Sequence, residues 1–267
     1  MSDEQAYGAG ISGILPWILP AIGLACWTGA AELRLLPAYL LPHPAEILET
    51  GYAYIFGNPK DGMYAGRFIS DAGASLMRVA AGFFAAAVLG IPLGVMSGRL
   101  PAVDRLLATS VNGIRAVPGI SWLPLALVWF GIGLKTTVFL VALAAFFPIY
   151  INSASGVRQV SPVLLQAGAM MGVRRLRGTF AILMPSAMPS IISGLRLGLG
   201  ISWAYLVLGE LTGVASGLGA VIMDARMVGR IDIIIVGIII IAAIGRLSDR
   251  LLCAGMKFCF KSARRTA

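Results

Sequence analysis

Three ionisable side chains, Arg115, Arg196 and Glu210, stand inside stretches apolar enough to cross a bilayer. A spanning helix takes ~20 such residues, and a charge at its centre costs ~2.5–3.5 kcal/mol on insertion scales. Groups placed at that cost face a protein interior or a wet passage, so the chemistry open to them is recognition, pairing or gating of charge. Arg115 and Arg196 are expected near the inner surface, where snorkelling or a structural pair competes with a role in a pathway. Glu210 is expected near the outer end of its segment, where a gate or a contact with an external protein competes with simple solvation. Trp122, Trp129 and Phe130, with Trp203 and Tyr205, fall in the same segments. They could line a passage, although anchoring at the interface explains membrane tryptophans equally well.

Covalent chemistry has little to work with. The chain holds a single histidine, His43, and neither paired carboxylates nor a nucleophile beside a base. One histidine makes no metal site, and a solvated loop residue is the expectation for it. The G-x-x-x-x-G-K-[ST] loop that nucleotide hydrolysis requires is missing. The chain is therefore read as non-enzymatic on its own and bound to no cofactor, with energy supplied by a partner.

A second cluster is "LLQAGAMMGVRRLRGTFAILMP", residues 164–185. Ser161-Pro162 just before it is a helix start, a capping hydroxyl followed by proline at the first helical position. Leu165, Ala169, Gly172 and Leu176 then fall on one helix face, and Gly178 can end the helix. Arg174, Arg175 and Arg177 crowd the end that suits the helix dipole. Small residues at the centre of such a face let another protein's surface come close.

These groups are carried by a chain of 267 residues, 58% hydrophobic, 12% charged and of net charge +9. Soluble domains are about 45–50% apolar and ~25% charged, so this is an integral membrane protein. The basic residues flank apolar segments rather than forming one patch, which excludes a nucleic-acid partner in favour of membrane orientation. Cys26, Cys253 and Cys259 lack metal or C-x-x-C spacing and are expected as unpaired thiols. The acidic start "MSDEQAYG" is unlike a cleaved signal peptide.

Six spans are expected, near 11–31, 74–98, 106–131, 135–157, 187–212 and 231–252, the third kinked or broken by Arg115, Pro118 and Pro124. With both termini inside, positive charge favours the inner segments roughly two to one. That places 158–186 in the cytoplasm. The chain then divides into a tail and first span (1–36), an external loop with a short helix (37–73), a five-span core (74–255) with its cytoplasmic loop at about 161–186, and a basic tail (256–267). "LPHPAEILETGYAYIF" supplies the short helix, with Pro44 at its start. Gly90, Gly94 and Gly98, then Gly194 and Gly198, form small-residue faces suited to close helix packing inside the subunit, with a dimer face as the alternative.

The 164–185 stretch resembles the "EAA" loop of binding-protein-dependent ABC importer permeases, E-A-A-x3-G-x9-I-x-L-P. Here the pattern reads Gln166, Ala167, Gly168, Gly172, Ile182 and Pro185, with Gln166 for the glutamate, Gly168 for the second alanine and Met184 for the leucine. "LPHPAEIL", "SLMRVAAGFFAAAVLGIPLGVMSG", "RAVPGISWLPLALVWFGIG", "GLRLGLGISWAYLVLGELTGVASGLG" and "DRLL" resemble the sulfonate, taurine, nitrate, bicarbonate and cyanate branch, over roughly residues 37–255. The resemblance implies an all-α membrane fold of the type I importer. It also implies two permease subunits, commonly identical, two cytoplasmic ATPases carrying ATP and Mg, an external or periplasmic solute-binding protein, and the bacterial inner membrane. Carried over by position, Gln166, Ala167, Gly168, Gly172, Arg174, Leu176, Ile182 and Pro185 couple to the ATPase. Arg115, Trp122, Trp129, Arg196, Trp203 and Glu210 are then candidates for the substrate pathway. A permease for a small neutral or cationic heterocycle is the alternative, and an ion-driven secondary transporter a more distant one. That last reading calls for internal repeats and a mid-membrane carboxylate, and neither is visible in the sequence.

Overall fold

Proline and glycine punctuate the chain where its helices begin and end. The computed structural model describes residues 3–33, 35–37, 40–58, 60, 62–171, 173 and 175–259. In order, the helices are α1 (Asp3–Glu32), α2 (Pro44–Phe56), α3 (Phe68–Arg99), α4 (Pro101–Ala116), α5 (Leu123–Phe130), α6 (Leu134–Arg158), α7 (Pro162–Met170), α8 (Arg175–Gly178), α9 (Met184–Glu210), α10 (Leu218–Val228) and α11 (Ile231–Cys259). A 3-10 turn at Gly119–Trp122 precedes α5, and a π-helical turn at Thr179–Leu183 leads into α9. No strand occurs among the described residues.

Four helical stretches, Phe68–Arg99, Leu134–Arg158, Thr179–Glu210 and Ile231–Phe258, are long and apolar enough to cross a membrane. A fifth is made by Pro101–Ala116 with Gly119–Phe130, bent by 90° at the break. This is the third expected span, and it breaks at one of its two prolines. Val117, ahead of Pro118, is extended (φ −73°, ψ 122°) because the pyrrolidine ring disfavours helix in the residue before it. Pro124 sits in the first turn of α5, where a missing N–H costs nothing. The remaining expected span, 11–31, falls in α1, whose side chains are described at Leu15 and from Trp17 onward. The fifth begins earlier than expected, at Thr179 rather than 187.

The chain parts into two compact units, residues 1–67 with 224–236, and residues 68–223 with 237–267. In the first, His43 is the N-cap of α2, its Nδ1 accepting from the Ala45 N–H at 3.2 Å. It has a structural role there rather than being only solvated. Pro44 starts the helix as the sequence requires, and Ile47 and Tyr54 form its buried face. Asp232 at the start of α11 accepts from the Thr50 hydroxyl at 3.0 Å and from Arg230 at 2.6 Å.

In the second unit, α6 lies between α3 and α9, and glycines set the spacing on both sides. A Cβ at Gly94 would stand 2.5 Å from the Tyr150 carbonyl oxygen, and one at Gly98 would stand 2.6 Å from that of Ala154. On the other side of α6, a Cβ at Gly194 would meet Asn152 at 2.7 Å. The small-residue faces thus pack within the subunit. Around them Ala86, Ala145, Ile149, Ala187 and Ile191 form a continuous buried core.

Candidate functional site

The segment expected to couple to an ATPase, about 161–186, departs from one continuous amphipathic helix. Pro162 starts α7, but Ser161 makes no side-chain cap bond. The helix stops at Met170, and the Val173 N–H closes back onto the Gly168 carbonyl at 3.0 Å. Two glycines within five residues, 168 and 172, each cost ~1 kcal/mol of helix propensity against alanine, which favours a break here. Gly178 is the last residue of the short α8, but it is right-handed helical (φ −63°, ψ −30°) and the chain runs directly into the π turn. Leu165 and Ala169 lie on a helix that stops at Met170. Gly172 and Arg174 lie outside the described residues, as does the Leu176 side chain.

What the fold does bring together is Ile182 over Gly168. A Cβ on Gly168 would come within 2.3 Å of Ile182 Cδ1, so the isoleucine stem lies directly on the glycine. Leu165, Gln166, Ala169 and Val173 join them around a cavity of about 330 Å³ beneath α7. Pro185 occupies the first turn of α9 and lets the helix start without a wasted donor. On the outer side of α7 the apolar groups are bare: Val163 is 67% exposed, Met170 89% and Met171 77%.

The charges inside the spans take different roles, and Arg196 takes the structural pairing that the sequence allowed. Arg115 ends α4 at the 90° break and lines a cavity of about 420 Å³ with Trp122, Phe147, Pro148, Asn152 and Tyr205. Pro148 and Asn152 lie in the half of α6 (Leu134–Arg158) that ends at Arg158, so Arg115 faces α6 six to ten residues from that end. The chain turns at Val117, which leaves Arg115 at the bend. Arg196 makes two hydrogen bonds to Asp249, at 2.9 and 3.0 Å, joining α9 to α11 as a structural pair. Trp203 is buried and donates from its indole to Ser248 Oγ at 3.0 Å, over the space left by Gly245. It belongs to the same seam rather than to the cavity. Trp129 is 55% exposed and packs edge-on against Phe130 and Phe139.

Glu210 is neither solvated nor at an open mouth. It is fully buried and accepts from Arg78 at 2.6 Å, from Ser75 at 2.8 Å and from the Gly219 N–H at 2.8 Å. Arg78 also donates to the Ser216 carbonyl at 2.7 Å, and Asp71 accepts from the Gly217 N–H at 3.1 Å. Gly217 has φ +135°, and a Cβ there would stand 2.5 Å from the Glu210 carboxylate. This cluster ties α3 to the corner between α9 and α10. Asp71, Ser75 and Arg78 were legible as partners only in part: their i, i+4, i+7 spacing puts them on one face of α3. Nothing local in the sequence pointed that face at Glu210.

Residues 90–252 match the model of the family described as binding-protein-dependent transport system inner membrane component. The chain belongs to this family. The permease is 34% identical to TauC, the taurine transport system permease protein of Escherichia coli, over 86% of this chain and 82% of that protein. It is 34% identical to SsuC of Bacillus subtilis, named for aliphatic sulfonates transport, over 87% and 81%. It is 35% identical to the nitrate import permease protein NrtB of Synechocystis, over 79% and 78%. In fold it is similar to a chain of the MetNI methionine ABC transporter, solved in inward-facing conformations. The TM-score is 0.57 at 20% identity, over 70% of this chain and 95% of that one. The permease is thus the membrane subunit of an ABC importer with the all-helical type I fold.

Proposed function

We propose that the permease forms the path by which a small oxyanion, such as a sulfonate, taurine, nitrate or bicarbonate, enters a bacterial cell. In this reading two identical copies sit in the inner membrane with both termini in the cytoplasm. Two ATPases holding ATP and Mg bind at 161–186, and an external binding protein delivers the solute. The relatives named for sulfonates, taurine and nitrate support the substrate class. The single observation that carries the coupling role is the bare apolar side of α7, from Val163 to Met171, beside exposed Arg177. Exposed apolar groups rimmed by charge mark a partner surface.

The test is to replace Gly172 with tryptophan and purify the tagged complex in mild detergent. The expected result is that the chain inserts into the membrane at normal levels while the ATPase that copurifies with it falls about tenfold, a loss of ~1.4 kcal/mol in affinity. A variant that keeps its ATPase and transports normally overturns the assignment of the docking segment. A wild-type chain that purifies alone, yet moves solute under an ion gradient, overturns the importer reading of its energy source.

A further inference from the structure

The cavity at the broken span has the composition of a binding site. Its lining includes Arg115, Trp122, Asn152 and Tyr205, all of which carry polar groups, and none of its lining residues is acidic. Arg115 and Tyr205 make no hydrogen bond or ion pair with any described residue, in contrast to Arg78 and Arg196. The Asn152 amide nitrogen is committed to the Pro148 carbonyl at 2.8 Å. Arg115 is exposed on the cavity wall and unpaired among the described residues, so its charge is available to a ligand's anionic group. The rest of the lining, including Phe147 and Pro148, is apolar, which lowers the local dielectric and strengthens any charge–charge contact made there.

Gly119 lies so close to Tyr205 that any side chain there would run into the phenol ring. Tyr205 is thereby seated against the 3-10 turn, with its hydroxyl beside the turn that follows Arg115.

We propose that this cavity is an oxyanion-binding subsite within the permease itself. Arg115 supplies the charge, and Tyr205 and Trp122 supply neutral donors. The subsite rests on the proposed function and deepens it, because it gives the membrane subunit its own selectivity for anions after the external protein has released them. The forked guanidinium suits two oxygens of a sulfonate or nitrate group at once. A lysine in its place offers only a point charge.

The experiment uses the full complex with its ATPase in lipid nanodiscs, without the external protein, and measures equilibrium binding of radiolabelled methanesulfonate. Saturable binding is expected for the wild type. It should weaken at least about tenfold in Arg115→Gln, by less in Arg115→Lys, and about threefold in Tyr205→Phe. Arg115 is exposed to the cavity, and Tyr205→Phe keeps the ring, so both variants are expected to elute like wild type on size exclusion. No saturable binding by the wild type, or equal binding by Arg115→Gln, overturns the subsite. Transport in proteoliposomes with the external protein then separates the two proposals. Uptake of an anion without permease binding sinks the subsite alone, whereas uptake of a neutral or cationic solute sinks the substrate class and the subsite together.

Discussion

Gly94→Leu prevents α3 from closing on α6 and leaves little folded permease to purify. A Cβ at this position already stands 2.5 Å from the Tyr150 carbonyl oxygen and 2.7 Å from Ser153 Cβ. Backbone cannot swing away as the tip of a flexible side chain can, so the two helices must separate along their shared core. Overpacking a well-packed core costs about 1–3 kcal/mol, and a leucine driven against main chain belongs at the upper end or beyond. Gly73→Leu is the control. Gly73 lies on the same helix, and a Cβ there meets nothing within 4 Å. That variant gains helix propensity of up to ~1 kcal/mol and should purify at least as well as wild type. The measurement is monodisperse yield and thermal unfolding in one detergent. Equal stability of the Gly94 and Gly73 variants would show that α3 and α6 do not approach as described.

Glu210→Ala removes the acceptor at the centre of the buried cluster. Arg78, only 7% exposed, is left with the Ser216 carbonyl and no counter-charge, and the Gly219 N–H loses its partner. Breaking a buried pair by deleting one member costs about 3–5 kcal/mol, because the remaining charge stays out of water. The expected outcome is a large fall in melting temperature and loss of solute uptake together. Pairing Arg78→Met with Glu210→Leu discriminates between explanations. Replacing both charges with apolar groups of similar volume is often neutral or stabilising, so the double variant should recover much of the melting temperature. If it stays as unstable as Glu210→Ala, the loss comes from packing and not from the orphaned charge. If it recovers stability and also transports, the cluster only supports the fold. Recovery of stability without transport would mean that the charges at the α9–α10 corner take part in the transport cycle.

The amino-acid sequence by itself determined everything that depends on local pattern. Runs of apolar residues placed five of the six expected spans near stretches long and apolar enough to cross a membrane, one of them the bent pair. Pro44 and Pro162 marked two helix starts, and Pro118 marked a break that the fold turns into a 90° bend. Four-residue glycine spacing announced the α3 and α9 faces, because a helix lines up every fourth residue whatever it packs against. The coupling segment was legible as a motif, since its pattern is a matter of order along the chain.

Only the tertiary structure decided what pairs across it. Glu210 reads as an exposed group near a helix end, yet it is fully buried against Arg78, 132 residues away in the chain. Trp203 reads as a passage residue but belongs to a seam with Ser248, beside the pair formed by Arg196 and Asp249. Arg115 reads as one charge in a span, and only the bend between α4 and α5 sets it in one cavity with Asn152 of α6 and Tyr205 of α9. In each of these cases the deciding quantity is the direction a side chain takes once helices pack, and long-range electrostatics and close contact fix that direction without leaving a local trace in the sequence. The break after α7 differs: the chain closes back locally at Val173, and the glycines at 168 and 172 carried the signal for it.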